Sequence, residues 1–314
     1  MDSNLVYVFL TSNFYAPKNA PSNQWSYTNI PDYYLKTLQH NSKKTKNAYF
    51  LTERSQVENI KKQLLDISDN IQVVAVEDSI CNTNEFKETI NILDTLWPRY
   101  RYDTFWFVTF IRSILLGIFI KEQNLKNTIH VEADNLIFAK NFKSLFELLD
   151  TGEFAYSNEA PHASALALMA FKDDLAGQNF VKHHITLLKK GDSVLSPYVG
   201  HFYGHVTDMA FIDLIYRAKK NYKMLPCLPY GPFSENFNKL QYLFDPISYG
   251  QFLGGTNQGA PQGYTEYRHY VGKEIIDNRI KVIFDKCPYV LYNNEQIPLF
   301  NLHIHNKKAI THFL

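Results

Sequence analysis

Cysteine is scarce in this chain of 314 residues: Cys81, Cys227 and Cys287 are odd in number, far apart, and form no CxxC pair. Neither a disulfide framework nor a zinc knuckle is supported, and a reducing compartment is expected. A surplus of charge is missing as well. Lys+Arg total 32 against Asp+Glu 31, a formal +1, so the chain lacks the electrostatic footprint of a phosphate-backbone binder and nucleic acid is disfavoured as its partner. No apolar run reaches membrane length. The nearest, FWFVTFIRSILLGIFI from Phe105 to Ile120, falls short of the roughly 20 residues that a span needs and carries Arg112 near its middle. It reads as a helix buried in a core. At the N-terminus, MDSNLVYVFLTSN has an acidic residue where a secretion signal carries positive charge, and its apolar stretch is short. No glycine-rich loop runs into GKS or GKT, and no GxGxxG opens a helix after a strand, so neither a P-loop ATPase nor a Rossmann dehydrogenase is indicated.

What is present is ordinary globular material. Hydrophobic residues make up 45% and charged residues 20%, enough to fill a large core and to exclude long disorder. No repeat, low-complexity tract or flexible linker divides the chain, so residues 1–314 are expected to form a single domain. Leu5 to Thr11 reads as a buried strand ending at Ser12-Asn13. Pro31 opens a helix to about Leu38, Ala48 to Leu51 reads as a strand, Ser55 to Leu65 as an amphipathic helix, and Ile71 to Val76 as a strand. Strands alternating with helices predict a parallel sheet. The stretch containing Asp94 to Arg101 is less regular. The helix around Arg112 then leads into a strand, Thr128 to Val131. Further on, Phe142 to Leu149 suggests a helix, Phe154 to Tyr156 and Ala165 to Phe171 strands, and Asp174 to Lys189 a helix. Thr207 is placed to cap another helix through Ala218, with Asp208 in its first turn. From about Leu225 to Tyr270 the chain is dense in Gly, Pro, Tyr, Phe and Asn, which is loop chemistry with many aromatic faces; Tyr249, Phe252 and Tyr264 are candidates to stack on a ligand.

Five constellations can carry chemistry. In His130-Val131-Glu132-Ala133-Asp134-Asn135, residues two apart on an extended backbone share a face, so Glu132 and Asp134 can converge on one Mg²⁺ or Mn²⁺. The bland reading is a pair of solvated acids at a strand end. In Asn301-Leu302-His303-Ile304-His305-Asn306-Lys307, an extended chain puts His303, His305 and Lys307 on one side, where imidazole can ligate a metal and an ammonium can neutralise phosphate. Against that stands an ordinary exposed strand. Arg112 needs an anionic partner inside its apolar helix, either a carboxylate such as Asp103 or Asp134, which is the favoured choice, or a ligand phosphate. Asp208 sits where a helix start favours the ionised form that a general base requires. Finally, FDPISYGQFLGG from Phe244 to Gly255 has glycines that permit tight turns and close approach.

The order of these segments, with HVEADNLIF, GHVTDMAF, FDPISYGQFLGG and NLHIHNKK over most of the chain, resembles nucleotide-sugar-dependent glycosyltransferases of the GT-A fold, little-characterised bacterial and viral members among them. The resemblance implies a GT-A-like, Rossmann-type α/β/α sandwich with a mostly parallel central sheet. Residues 1–140 would form its nucleotide-sugar-binding half, and residues 141–314 its acceptor-binding half with a C-terminal metal-binding segment. It implies an Mn²⁺ or Mg²⁺ cofactor held by a DxD-like pair, here Glu132 and Asp134 with Glu in place of the first Asp, together with His303 or His305. Thr11, Ser12, Asn13, Thr52 and Glu53, on one sheet edge, would lie near the nucleoside, and Arg112, Glu132 and Lys307 near the diphosphate. The implied activity is transfer of a hexose or pentose from a UDP- or GDP-sugar to a hydroxyl of a glycan or glycolipid, with Asp208 as base if the transfer inverts. The expected location is cytoplasmic or peripheral at a membrane. The competing readings are a sugar-phosphate nucleotidyltransferase, which lacks its basic Gly-rich loop here, and a non-catalytic carbohydrate-binding protein.

Overall fold

A computed structural model describes residues 2–11, 14, 29–65, 67–96, 104–161, 163–199, 207–218 and 220–314, apart from the side chains of 104, 192 and 197–199. The N-terminal part alternates as its sequence predicts: β1 (Asn4–Phe9), α1 (Asp32–Ser42), β2 (Asn47–Thr52), α2 (Val57–Leu64) and β3 (Ile71–Ala75), then the short α3 (Val76–Ser79). Pro31 precedes α1, where its fixed φ and missing N–H cost nothing. Two helices follow, α4 (Asn84–Leu96) and α5 (Thr104–Glu122), before β4 (Thr128–Val131) and β5 (Asn135–Ile137). Helix α4 was not foreseen, because its irregular C-terminal end at Asp94 masked the buried Phe86, Thr89, Leu93 and Leu96 on one face.

The next segment contains α6 (Lys143–Leu148), the antiparallel pair β6 (Phe154–Ala160) and β7 (Ala163–Phe171), α7 (Asp174–Lys190), α8 (Asp192–Val199), α9 (Asp208–Ala218) and β8 (Tyr222–Met224). Asp173 caps α7 by accepting from the Ala176 N–H at 3.0 Å, and the Thr207 hydroxyl does the same for α9 through Ala210 at 3.2 Å. The C-terminal part holds α10 (Phe237–Leu240), α11 (Ser248–Gly254), α12 (Tyr270–Ile276), the strands β9 (Lys281–Asp285), β10 (Cys287–Tyr292), β11 (Glu295–Pro298) and β12 (Asn301–His303), and a closing 3-10 turn, Lys307–Phe313.

Seven strands form the central sheet in the order β3-β2-β1-β4-β7-β6-β8. All neighbours run parallel except at β7, which is antiparallel to both β4 and β6. Alternation along β1 sends Val6 and Val8 into one core with α4, α5, α7 and α9, while Leu5, Tyr7 and Phe9 enter the opposite core with α1, α2 and α6. Helices therefore cover both faces, as a parallel sheet requires. This is the GT-A-like α/β/α arrangement that the resemblance implied. A third apolar cluster lies under α11, α12 and the three-stranded antiparallel sheet β11-β10-β9. That sheet was missed, although Asn293 and Asn294, both left-handed with φ of 50° and 66°, form the turn a tight hairpin needs.

Helix α5 packs against α7 through two glycines. A Cβ on Gly177 would stand 2.6 Å from the Gly117 carbonyl oxygen and 3.0 Å from the Ile120 Cβ, so the backbones meet only because neither side chain exists. Among the described residues no helix is long and apolar enough to cross a membrane. We predict that Gly177→Val destabilises the fold by about 1–3 kcal/mol through overpacking, read as a lower thermal midpoint. Gln178→Val, on the exposed side of α7, should leave the midpoint nearly unchanged; equal losses would show that the helix contact is not the cause.

Candidate functional site

Parallel strands β1, β2 and β4 end at one edge of the sheet, and the topology changes direction there: β1 is flanked by β2 on one side and β4 on the other. Ligands of open α/β sheets gather outside such carboxyl ends. Glu132 follows β4 directly, with its N–H donated to the Ala167 carbonyl of β7 at 3.0 Å. Two residues on, the chain turns into β5, which pairs antiparallel with β12, the register setting His303 opposite Asn135. Glu132, Asp134 and His303 thus arrive from segments far apart in sequence, and one ligating atom from each lies within 4.8 Å of the others. His303 Nε2 is 3.4 Å from Glu132 Oε2 and 3.4 Å from Asp134 Oδ1.

The acids are answered by two cations. Arg112, projecting from α5, places Nη2 2.5 Å from Glu132 Oε1 and 3.3 Å from Asp208 Oδ2. Lys307, at the start of the closing 3-10 turn, pairs with Asp134 Oδ2, and its ammonium stands 5.8 Å from the centre of the Tyr33 ring. Burial pushes the Glu132 carboxyl up, but Arg112 and His303 outweigh it and hold the group at about 2, anionic at any physiological pH. Asp208 behaves differently. Its helix start was expected to favour the ionised form, yet burial raises its pKa, against the pull of Arg112. Burial also lowers the Lys307 ammonium to about 8, with Glu132 opposing.

Several expectations are corrected. Arg112 is paired within the protein, but with Glu132 and Asp208 rather than Asp134, whose partner is Lys307; Asp103 lies outside the described residues. The chain is not extended from Asn301 to Lys307. Strand β12 ends at His303, and the turn that follows brings Lys307 back to Asp134 while His305 departs. His305 is no member of the converging group. Its Nδ1 lies 3.3 Å from Gln251 Nε2, its ring centre is 6.0 Å from that of His303, and burial with the neighbouring His303 lowers its pKa to about 4. Tyr249 is not available for stacking, since it is fully buried and its hydroxyl donates to the Cys227 carbonyl at 2.6 Å.

Thr11, Thr52 and Glu53 lie at the ends of β1 and β2, on the sheet edge that bears Glu132. The Glu53 carboxylate accepts the Thr11 N–H at 2.5 Å and so ties the two strand ends together. The buried Thr52 hydroxyl has no hydrogen-bond partner. Ser12 and Asn13 lie outside the described residues. One group that sequence reasoning passed over is Asp245 in the Phe244–Gly255 segment, which is buried and accepts three backbone N–H groups, that of His303 among them.

Two carboxylates and an imidazole are hard and borderline donors that suit Mg²⁺ or Mn²⁺. The donor set fits such an ion on its own geometry: His303 Nδ1 lies 2.8 Å from the Pro246 carbonyl, so that nitrogen carries a proton and Nε2 is left as the one that faces the acids and can ligate. Lys307 occupies the cationic role at Asp134.

Neither a protein-family model nor a curated protein matches this chain. Among solved structures it is similar to mouse xyloside xylosyltransferase 1 in its apo form, at 15% identity over 72% of this chain and 86% of that one, with a TM-score of 0.47. It is similar to the galactosyltransferase LgtC in complex with donor and acceptor sugar analogs, at 12% identity over 72% and 73% of the two chains, with a TM-score of 0.38. It is also similar to the glycosyltransferase GlyE of Streptococcus pneumoniae TIGR4, at 10% identity over 71% of this chain and 45% of that one, with a TM-score of 0.37.

Because Lys307 neutralises the carboxylate that a cation would use, Lys307→Met should tighten binding of Mn²⁺ in the absence of nucleotide. Even the bulk-water repulsion of about 1 kcal/mol between unit charges some 4 Å apart corresponds to about fivefold. Titration followed by the Mn²⁺ paramagnetic signal measures it, and weaker binding by the variant would mean that the ammonium does not compete for Asp134.

Proposed function

We propose that this chain is a metal-dependent glycosyltransferase that moves a sugar, hexose or pentose, from a UDP- or GDP-sugar to a hydroxyl of a glycan or glycolipid. The observation that carries this reading is the convergence of Glu132, Asp134 and His303 at the carboxyl edge of a mostly parallel sheet, with Arg112 and Lys307 flanking them. A nucleotide-diphosphate donor needs that combination: hard donors for a divalent ion, and cations beside it for phosphate oxygens. We assign Thr11, Ser12, Asn13, Thr52 and Glu53 to the nucleoside side of the site, since they share that edge. The chain would work as one unit, its first half holding the donor and its second half the acceptor, in the cytoplasm or at a membrane surface.

In this mechanism Glu132, Asp134 and His303 hold the ion, with His305 outside the ligand set. The bound ion supplies Lewis-acid neutralisation of the leaving diphosphate. Lys307 leaves Asp134 and pairs with a phosphate oxygen. Arg112 keeps Glu132 ionised and aimed, and it holds Asp208 at the same nitrogen, so the two carboxylates stay adjacent at one guanidinium. Asp208 is our assignment for the base of an inverting transfer. Its raised pKa makes it a stronger proton acceptor than an exposed aspartate, and a base is most effective when its pKa approaches the working pH.

Incubation with UDP- and GDP-sugars and Mn²⁺ should release nucleotide slowly, and EDTA should stop it. Full turnover in EDTA would sink the metal assignment. Release of pyrophosphate from a nucleoside triphosphate and sugar phosphate would instead identify a nucleotidyltransferase, and binding of sugar with no turnover a carbohydrate-binding protein. Asp134→Ala should lose more activity than Glu132→Ala, because one oxygen of Glu132 is already committed to Arg112.

Asp208→Asn should lower kcat by about 10²–10⁴ with donor affinity retained. A product that keeps the donor's anomeric configuration, or normal turnover by Asp208→Asn, would return this residue to a purely structural pairing with Arg112.

A further inference from the structure

Behind the candidate metal site lies a carboxylate that touches none of its acids. Asp245 is 2% exposed and sits between α10 and α11. Its Oδ1 accepts the Tyr249 N–H at 3.0 Å, and its Oδ2 accepts the N–H groups of Gly250 and His303, each at 2.8 Å. One side chain thereby joins the first turn of α11 to the last residue of β12. Its own peptide groups are held too: the Asp245 N–H donates to Asn301 Oδ1 at 3.2 Å, and its carbonyl accepts from Asn301 Nδ2 at 3.0 Å. The same Asn301 amide reaches Asn135 Oδ1 at 2.9 Å, next to Asp134.

His303 is gripped twice by this segment. Its backbone N–H is fixed by Asp245, and its Nδ1 lies 2.8 Å from the carbonyl of the following residue, Pro246. A peptide carbonyl can only accept, so Nδ1 carries a proton, and Nε2 is the nitrogen that faces Glu132 and Asp134. Packing leaves no slack. A Cβ on Gly250 would stand 2.0 Å from the His303 carbonyl oxygen, so α11 can approach β12 this closely only with glycine there.

We propose that Asp245 is a positioning residue for the metal site: by clamping α11 to β12 it sets the backbone and ring tautomer of His303 so that Nε2 is presented to the cation. The role rests on reading Glu132, Asp134 and His303 as a cation site and is independent of which sugar is transferred. Asp245→Asn replaces one acceptor oxygen by an amide that must meet a backbone N–H, which loosens the clamp while keeping the volume.

Two measurements test it. In metal-free protein at pH 8, long-range proton–nitrogen NMR of the imidazoles should show His303 protonated on Nδ1 in the wild type and mixed or reversed in Asp245→Asn. A wild type protonated on Nε2 alone overturns the proposal whether or not the variant folds, and so does an unchanged protonation pattern in a folded variant. Mn²⁺ titration should show Asp245→Asn about 10–100-fold weaker than wild type, with Asp245→Asn/His303→Ala no weaker than His303→Ala alone. Independent, additive losses would mark Asp245 as a general stabiliser and overturn the role. A wild-type protein with the expected tautomer and no Mn²⁺ affinity would bring down the cation reading itself, whereas the wrong tautomer with Mn²⁺ bound would remove only the part assigned to Asp245.

Discussion

A guanidinium inside an apolar helix is the constraint around which the candidate site at the sheet edge is arranged. Helix α5 runs for 19 residues with Arg112 its one cation before Lys121, and taking such a charge out of water costs several kcal/mol unless acids meet it. Glu132 and Asp208 both do so at the same Nη2, and each belongs to a different element, the end of β4 and the start of α9. Burial, Glu132 and Asp208 act together on the Arg112 group, and the net effect raises its pKa. The need to compensate one buried charge thereby brings together the middle of α5, the end of β4 and the start of α9.

The same reasoning explains why the site is rich in both signs. Glu132, Asp134 and Asp208 bring three negative charges against two positive ones, Arg112 and Lys307, with His303 between the acids. Such a cluster is stable enough to be built without a ligand, yet it retains an acid surplus that favours a divalent cation. Once that cation is bound the balance turns positive, which suits a diphosphate. Lys307 is the part that can change partners, because it sits at the start of a surface 3-10 turn, whereas Arg112 is anchored within a packed helix.

Much of this was legible in the sequence, and the failures have physical causes. The strands β1 to β4 announce themselves through runs of Val, Ile, Leu and Tyr, buried on both faces in β1 and β4, and ExD after β4 through the two-residue period of an extended chain. The segment from Asn301 to Lys307 misled because the same period was extended past its end: a strand of three residues looks no different, letter by letter, from one of seven. What ends it is tertiary. Asn306 accepts the Lys308 N–H at 3.2 Å and starts a 3-10 turn, so Lys307 reaches Asp134 by reversal of the chain and His305 is turned toward Gln251. The pairing of Arg112 was open for a similar reason, since α9 follows by about a hundred residues and no local pattern tells which acid a helix 96 residues away will meet.

Asp245 was invisible for a deeper reason. Its partners are backbone N–H groups, which every non-proline residue carries, so its role leaves no signature in the side chains around it. The hint lay in the glycine five residues on, read as freedom for tight turns and close approach of a ligand. The structure gives Gly250 a narrower meaning, a place where α11 presses against the carbonyl of His303. His303, the histidine of the candidate metal site, is therefore held by the one part of the chain whose composition looked most like loop, through a dense set of main-chain hydrogen bonds as well as the strand that carries it.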